Sequence, residues 1–209
     1  MDQNRFLKAC KNGDITTLKS LDYSKIYIHA NAELAFQLAC WNGHLEVVKY
    51  LISLEPESGR INVHALNEEA FRNACENGHL DVVKYLISLE PSHNRINIHA
   101  MYEDAFRLAC ENGHLPIVKY LISLEPEYGL INIHARYEWA FRYGSFQIQH
   151  LLIRNYPNYN WKQVNGYYDY CTELNQIINN LSLLHQKMIQ LRTDILELNV
   201  IGIVKGFLL

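Results

Sequence analysis

The sequence predicts an all-α fold, a solenoid of helix-turn-helix repeats followed by a C-terminal helical segment. One phrase recurs every 35 residues: Cys-Trp-Asn-Gly-His-Leu starts at Cys40, and Cys-Glu-Asn-Gly-His-Leu starts at Cys75 and again at Cys110. A fixed period of this length is typical of stacked repeats, in which each unit is completed by its neighbours. From Leu174 onward the apolar residues follow steps of three and four, which predicts a separate helix.

The repeat period divides the first part of the chain into five units. A weaker copy of the phrase, Cys-Lys-Asn-Gly-Asp-Ile from Cys10, marks a shorter first unit. The last unit is degenerate, because Phe141 and Gly144 stand four residues closer together than Phe106 and Gly113 do. About one helical turn is missing there, and we expect this unit to cap the solenoid. The predicted solenoid is 1–153, with units 1–30, 31–65, 66–100, 101–135 and 136–153.

Each unit is predicted to contain two helices, as the third full copy shows. Its first helix spans 103–112 and stops at Gly113, because a residue past a helix end readily takes a positive φ when it is glycine. Its second helix spans 114–124 and ends before Pro126, which cannot continue a helix. The connection to the next unit is predicted to be a turn at 127–130 and an extended piece at 131–135.

Composition and charge restrict the function classes. The chain has 209 residues, of which 49% are hydrophobic and 20% charged, and its formal net charge is -3. These values are typical of a globular protein, and without a cluster of Lys and Arg we expect no nucleic-acid partner. The first residues show no charged region followed by an apolar run, so we expect no secretory signal and predict an intracellular location, cytoplasmic or nuclear.

The repeats resemble ankyrin repeats. The stretches Gly-His-Leu-Glu-Val-Val-Lys from Gly43 and Gly-His-Leu-Asp-Val-Val-Lys from Gly78 match the start of that family's second helix, and the resemblance covers about 1–153. Two features depart from the family: Thr-Pro-Leu-His at the first helix is replaced by Glu-Asp-Ala-Phe-Arg from Glu103, and the hairpin connection is longer. The repeat sequence and its 35-residue period are most similar to the ankyrin arrays of large DNA viruses of amoebae. This resemblance implies that the protein is located in a virus-infected host cell.

One side of the first helices varies between units and is the candidate partner face. At 100° per residue, Ala35, Phe36, Ala39 and Cys40 face the stack, while the opposite side changes from unit to unit. The resemblance implies that this variable side and the hairpin tips line the concave surface, the usual partner site of ankyrin proteins. We therefore expect a non-catalytic module that binds a partner protein. The variable residues, here named the outer stripe, are Leu34, Gln37, Trp41, Glu69, Arg72, Glu76, Asp104, Arg107, Glu111 and Trp139.

Within the outer stripe, Trp41 is the strongest candidate contact, since exposed tryptophans are enriched among interface hot spots. The alternative is that Trp41 shields the first helix of the N-terminal unit. Arg72 and Arg107 each have carboxylates three or four residues away, so the alternative there is a solvated helix face whose charges pair along the helix. Trp139 extends the stripe into the degenerate unit.

Histidines recur in a way that suggests metal binding. One ladder has a histidine per unit, and it runs beside the histidines of the Gly-His-Leu phrases. Zinc ligands must converge on one point, whereas equivalent residues of a stack lie a repeat thickness apart, so we expect backbone hydrogen bonds and no metal. The chain has no His-Glu-x-x-His, no phosphate-binding glycine loop and no Gly-x-Ser-x-Gly. We therefore expect no enzyme and no cofactor. The ladder is His29, His64, His99 and His134.

Four cysteines, Cys10, Cys40, Cys75 and Cys110, share one register of successive units. Packed helices lie roughly 8–10 Å apart, and a disulfide needs Cα atoms within about 7 Å. We therefore expect unpaired thiols that serve as small apolar side chains. Cys171 stands outside this register and is predicted to be a free thiol.

The C-terminal part is predicted to be a connector at 154–166 and a helix within 167–209. The apolar spacing is that of a coiled coil, but flanking charges are sparse, and packing of the helix within the chain is favoured over dimerisation. The alternative function is a structural protein that forms homo-oligomers through Leu174–Leu198. The apolar tail 200–209 is shorter than the roughly 20 residues of a membrane span, so none is expected. The spaced residues are Leu174, Ile177, Leu181, Leu184, Met188, Leu191, Ile195 and Leu198.

Overall fold

The computed structural model of the chain describes residues 2–54, 59–89 and 94–207. Across these ranges the chain forms helices and no strands, which confirms the all-α prediction. It separates into two compact units, one spanning 1–159 and the other 160–209. Parts of the tips predicted near 57–60 and 92–95 lie outside the described residues, as do the side chains of the apolar tail and of Ile195 and Leu198.

Helix pairs follow one another through the first compact unit. The first repeat contributes α1 and α2, the three near copies contribute α3 to α8, and the degenerate repeat contributes α10 and α11, with a short α9 before it. Their bounds are α1 Asp2–Asn12, α2 Ile15–Lys19, α3 Ala30–Trp41, α4 Leu45–Ser53, α5 Ala65–Glu76, α6 Leu80–Ser88, α7 Ala100–Glu111, α8 Leu115–Ser123, α9 Glu125–Tyr128, α10 Ala135–Tyr143 and α11 Phe146–Asn155.

The predicted stop at Gly113 is confirmed. The N–H of His114 donates to the carbonyl of Ala109 at 2.8 Å, and the N–H of Gly113 donates to that of Cys110 at 3.2 Å. This pair of bonds satisfies carbonyls at the helix end and requires a left-handed residue after it, and Gly113 has a φ of 76°. The same pair of bonds ends α3 and α5, so the recurring Asn-Gly-His phrase sets where each first helix stops.

The core is a column of repeated side chains between the stacked first helices. Each first helix packs against the first helix of the next repeat, and each second helix packs mainly against the first helix of its own repeat and also contacts the second helices of its neighbours. The residues that were expected to face the stack, Ala35, Phe36, Ala39 and Cys40, are buried. Burial of such residues in every repeat supplies the apolar stabilisation that a single repeat lacks. The phenylalanines of this column are Phe6, Phe36, Phe71, Phe106 and Phe141.

Two local features differ from the prediction. Residues 125–128 form the short helix α9 rather than the start of a turn, and Pro126 fits because its missing N–H falls in the first helical turn. More unexpectedly, Met101, Tyr102 and Glu103 take left-handed angles, with φ of 54°, 60° and 63°, before the right-handed part of α7 begins. The turns at 66–68 and 136–138 have the same conformation. Left-handed non-glycine residues are rare, so the sequence pattern did not indicate these turns.

The degenerate repeat keeps its place in the stack. Its first helix α10 has nine residues where α7 has twelve, yet Ala140 and Phe141 remain buried. In α11, Ile148 and Leu152 are fully buried. Removing about one turn preserves the direction in which a helix face points, which explains why the shorter helix still packs.

The second compact unit begins with a short 3₁₀ helix, Trp161–Gln163, and continues as the 41-residue helix α12, Tyr167–Phe207. Trp161, Val164 and Tyr170 are buried, and the 3₁₀ helix contacts α12. Ile177 and the apolar residues that follow it up to Leu191 are exposed. Among the described residues, none of the helices combines the length and the apolar character needed to cross a membrane.

Candidate protein-interaction surface

The outer stripe is exposed only in part. Trp41 and Glu111 are exposed, whereas Gln37 and Arg107 are buried. The exposed positions lie at the C-terminal ends of α3 and α7, and Glu76 holds the equivalent place at the end of α5. The accessible part of the stripe is therefore the row of helix ends. The remaining stripe residues are half-buried: Leu34, Glu69, Arg72, Glu76, Asp104 and Trp139.

Arg72 joins two repeats. Its Nη1 lies 2.6 Å from Oδ2 of Asp104 in the next repeat, while Glu69 in its own helix is 3.8 Å away. Its other donors bond the left-handed turn of its own repeat, with Nε donating to the carbonyl of Asn67 at 3.0 Å and Nη2 to that of Leu66 at 3.2 Å. The expected pairing along the helix is therefore the weaker part of this network. Arg72 therefore stabilises the contact between two repeats, and its positive charge is already paired with the carboxylate of Asp104.

Arg107 repeats this arrangement in a more buried form. It pairs with Asp104 in its own helix, as the spacing predicted, and its Nε donates to the carbonyl of Tyr102 at 3.0 Å. Its guanidinium lies 5.7 Å from the ring centre of Trp139 in the degenerate repeat. The indole N–H of Trp139 donates to Glu111 at 3.0 Å. These contacts tie the last two first helices together, and Glu111 remains exposed.

Trp41 combines a fixed backbone with an accessible side chain. Its carbonyl accepts a hydrogen bond from Nε2 of His79 in the next repeat at 2.9 Å. Its side chain remains 43% exposed. A large side chain held on an ordered helix end loses little conformational entropy on binding, which suits a contact residue.

The histidines of the Gly-His-Leu phrases bind backbone. In His44, His79 and His114, Nε2 lies 2.9 Å from a carbonyl in the last turn of the preceding first helix. Each ring also lies against a glycine of the preceding repeat. A Cβ on Gly43 would lie 2.3 Å from Nδ1 of His79, so only glycine allows this approach. The degenerate repeat has Ser145 where this histidine would stand, and nothing lies within 4 Å of the Cβ position of Gly113.

The histidines of the ladder pair with glutamates and not, as expected, with the backbone alone. Nδ1 of His64 lies 2.9 Å from Glu68, whose carboxylate also accepts the backbone N–H of Asn97 at 3.2 Å. The pairs His29–Glu33 and His99–Glu103 have the same geometry, and each glutamate is almost fully buried. The left-handed turns carry these glutamates, so each turn places a carboxylate between two repeats. Across the described residues, no three His, Cys, Asp or Glu side chains form a group that could hold a metal ion.

The tips of the left-handed turns expose side chains that sequence reasoning did not single out. Leu66, Met101, Tyr102 and Tyr137 are all exposed, and the guanidinium of Arg136 lies 5.3 Å from the ring centre of Tyr102. These positions vary among repeats that are otherwise near copies. This variation between repeats could have marked them as candidate contact residues. Their exposure, however, depends on the left-handed backbone conformation, which the sequence pattern did not indicate.

All five cysteines are free. Cys10, Cys40, Cys75 and Cys110 are buried in the stack, as predicted, and Cys171 is half-buried in α12. Burial raises the pKa of the Cys10 thiol to about 12 and raises the pKa of the other three stack thiols as well. Thiols of this kind stay protonated and are poor nucleophiles.

Comparison with known proteins supports the same fold. A family model for ankyrin repeats matches residues 6–99 and 60–136. The crystal structure of an ankyrin repeat family protein from Legionella pneumophila matches with a TM-score of 0.52 and 27% sequence identity, covering 81% of this chain and 51% of that one. The chain thus spans about half the length of that protein. No curated protein matches the sequence. On this family match over more than half of its length, the chain belongs to the ankyrin repeat family.

Proposed function

We propose that the chain is a non-catalytic module that binds a partner protein through the exposed end of the outer stripe. Ankyrin repeats are generally protein-protein interaction modules, and proteins built from them are typically scaffolds without enzymatic activity. The observation that carries the proposal is the exposed indole of Trp41 on a helix end whose backbone is fixed by the next repeat. Rigid exposed tryptophans are frequent binding hot spots.

The charges around Trp41 define the chemistry of the partner. Arg72 and Arg107 are matched by Asp104 and by backbone carbonyls, so they offer little free positive charge. Glu76 and Glu111 present carboxylates at the helix ends of the next two repeats. A partner surface with one apolar group flanked by Lys or Arg complements this arrangement. The exposed tips at Tyr102 and Tyr137 extend the same proposal along the repeats.

Further parts of the proposal concern setting and partners. Five free cysteines are typical of a protein in a reducing compartment, which supports an intracellular location. A location in a virus-infected cell is supported only by the resemblance of the repeat sequence. A net charge of -3 supports protein over nucleic acid as the partner.

A second candidate function is self-assembly through α12. The observation in its favour is the row of apolar side chains that α12 leaves exposed between Ile177 and Leu191. Such a row on a long helix is the face through which coiled coils form. Self-assembly and partner binding use different compact units, so each is tested separately.

The test of partner binding is affinity capture from cells of the source organism, read by quantitative mass spectrometry. The test variant carries Trp41→Ser and Glu76→Lys, and it leaves Arg72 and Arg107 intact because these two residues join repeats. The control variant carries Lys84→Glu and Lys119→Glu, two exposed positions on second helices. We expect the test variant to lose partners that the control retains. Partners kept by both variants, with unchanged circular dichroism, would refute the placement on the stripe.

A further inference from the structure

Five of the exposed apolar residues of α12 form one continuous seam, while Ile178, Leu183 and Ile189 are exposed beside it. Ile177 is 37% exposed, Leu181 60%, Leu184 57%, Met188 66% and Leu191 60%. The steps between them alternate between four and three, which keeps all five on one side of a supercoiled helix. On the opposite side, Asn179 and Gln186 are polar and exposed. A seam with this spacing matches another helix rather than a flat surface or a loop.

The start of the seam is already covered. Tyr170 stands four residues before Leu174 and therefore continues the same spacing backwards. It is 5% exposed, and the 3₁₀ helix Trp161–Gln163 lies against this part of α12. The chain thus covers the first turns of the seam with its own segment, and the same face continues beyond Leu174 with exposed side chains.

A second copy of α12 is the occupant that fits the exposed part. From Ile177 to Leu191 the seam extends over about 21 Å, whereas the helices of the first compact unit have at most twelve residues and bury their apolar faces in the stack. Another copy offers a helix of equal length with the same spacing. Side chains spaced in this way interdigitate with their equivalents as knobs into holes.

The charged residues beside the seam favour one relative orientation of the two helices. In heptad notation Leu174, Leu181 and Met188 are a positions, so Lys187 is a g position and Arg192 an e position. Parallel in-register pairing sets each g beside the e of the partner five residues later, which brings Lys187 against Arg192 on both sides of the dimer. The other g-to-e contacts of a parallel dimer provide no attraction between opposite charges that would offset this repulsion. Among the described side chains they are Glu173 with Ile178 and Asn180 with His185.

Antiparallel pairing removes this repulsion. In that orientation g positions face g positions and e positions face e positions, so Lys187 and Arg192 never become neighbours across the interface, whatever the register. We propose that α12 pairs with α12 of a second copy of this chain as a two-stranded antiparallel coiled coil. This inference rests on self-assembly as the second candidate function and adds the partner, the number of strands and the orientation.

The native cysteine Cys171 provides the test. It is the one cysteine of the five that is not buried, so a nitroxide label placed there in the full-length chain reports the distance between two copies of α12. In a parallel dimer the two sites lie at the same level, with helix axes about 8–10 Å apart. In an antiparallel dimer that overlaps the exposed seam, the sites are separated by about 26 residues, or about 39 Å along the axis.

The experiment combines light scattering with pulsed electron-electron double resonance on the wild-type chain, labelled at Cys171, at tens of micromolar. We expect the mass of a dimer and a label distance above about 35 Å. A dimer with a distance below about 25 Å would leave self-assembly standing and overturn the antiparallel orientation. A monomeric mass without dipolar modulation would overturn self-assembly itself, and a trimeric or tetrameric mass would overturn the two-stranded arrangement.

A matched pair of variants checks that the seam makes the contact. Leu184→Asp places a charge in the seam, and Gln186→Asp places the same charge on the polar side of the same turn. We expect Leu184→Asp to weaken self-association at least tenfold and Gln186→Asp to leave it within twofold of wild type. Equal effects of the two substitutions would contradict pairing through the seam.

Discussion

The carboxylate of Glu68 accepts a hydrogen bond from the backbone N–H of Asn97, 3.2 Å away in the next repeat. The same carboxylate lies 2.9 Å from Nδ1 of His64 in its own repeat. Because Glu68 sits in a left-handed turn and is almost fully buried, the turn delivers an acidic side chain between two repeats. Neighbouring repeats are thus joined by side-chain bonds as well as by their apolar column.

Removing this carboxylate is expected to weaken the stack. Glu68→Ala leaves the N–H of Asn97 and Nδ1 of His64 without their partner in a partly buried place, which costs about 1 kcal/mol. Glu138→Ala is the matched control, since Glu138 occupies the same position in the last repeat, is less buried, and accepts from the hydroxyl of Tyr159 rather than from a following repeat. Urea unfolding monitored by circular dichroism measures both. Equal losses of unfolding free energy would contradict a role for Glu68 between repeats.

A second prediction concerns two glycines with similar backbone angles. Gly78 has a φ of 82° and Gly113 a φ of 76°, but a Cβ on Gly78 would lie 2.7 Å from the ring of His114, while nothing lies within 4 Å at Gly113. Gly113→Ala is therefore expected to cost only the left-handed strain, about 1–2 kcal/mol. Gly78→Ala should cost clearly more, because the ring must also move. The unfolding free energies of the two variants measure the difference, and a larger loss at Gly113 would be inconsistent with the histidine contact.

Thiol reactivity gives a third prediction. Burial raises the pKa of all four stack cysteines, so at pH 8 they have almost no thiolate with which to react. Titration of the folded chain with a disulfide reagent is expected to show one fast thiol, Cys171, and titration in denaturant should show five. The variant Cys171→Ser should abolish the fast phase. A fast phase that persists in Cys171→Ser would show that the stack opens readily.

Stability is expected to fall at high pH. Burial, and then a hydrogen bond to Glu138, raise the pKa of Tyr159 to about 12, and burial with a hydrogen bond to Glu125 raises the pKa of Tyr156. An unfolded tyrosine ionises near pH 10, so between pH 10 and 12 the unfolded chain binds fewer protons than the folded one. Linkage then requires that the stabilisation present below pH 10 is lost as pH rises.

Urea unfolding at pH 9, 10 and 11 measures this loss, with Tyr159→Phe as the comparison. The phenylalanine variant removes one ionising group, so its stability should decline less steeply with pH than that of wild type. A decline of the same slope in both proteins would mean that Tyr159 titrates normally in the folded state.

Much of the helical architecture follows from the sequence. For the third copy, first and second helices predicted at 103–112 and 114–124 are observed at 100–111 and 115–123. This agreement has a local cause, because the Asn-Gly-His phrase encodes a helix end through a glycine with positive φ. The core side of α3 was also predictable, since a helix of 3.6 residues per turn separates its buried face from its variable face.

The candidate surface was harder to predict, for reasons of stacking and backbone conformation. Sequence spacing within a helix suggests partners three or four residues away, but Arg72 finds its closest carboxylate on Asp104, 32 residues later. Contacts of that kind depend on how repeats stack. Tyr102 is exposed because it lies in a left-handed turn. The residues of that turn have no intrinsic preference for the left-handed conformation.

Binding by a captured partner tests the central proposal most directly. Once a partner is identified, its affinity is measured by isothermal titration calorimetry for wild type, Trp41→Ala and the control Lys84→Glu. We predict that Trp41→Ala weakens binding at least tenfold, or about 1.4 kcal/mol, while Lys84→Glu binds as wild type does. An affinity for Trp41→Ala within twofold of wild type would contradict the assignment of the partner site to the exposed end of the outer stripe.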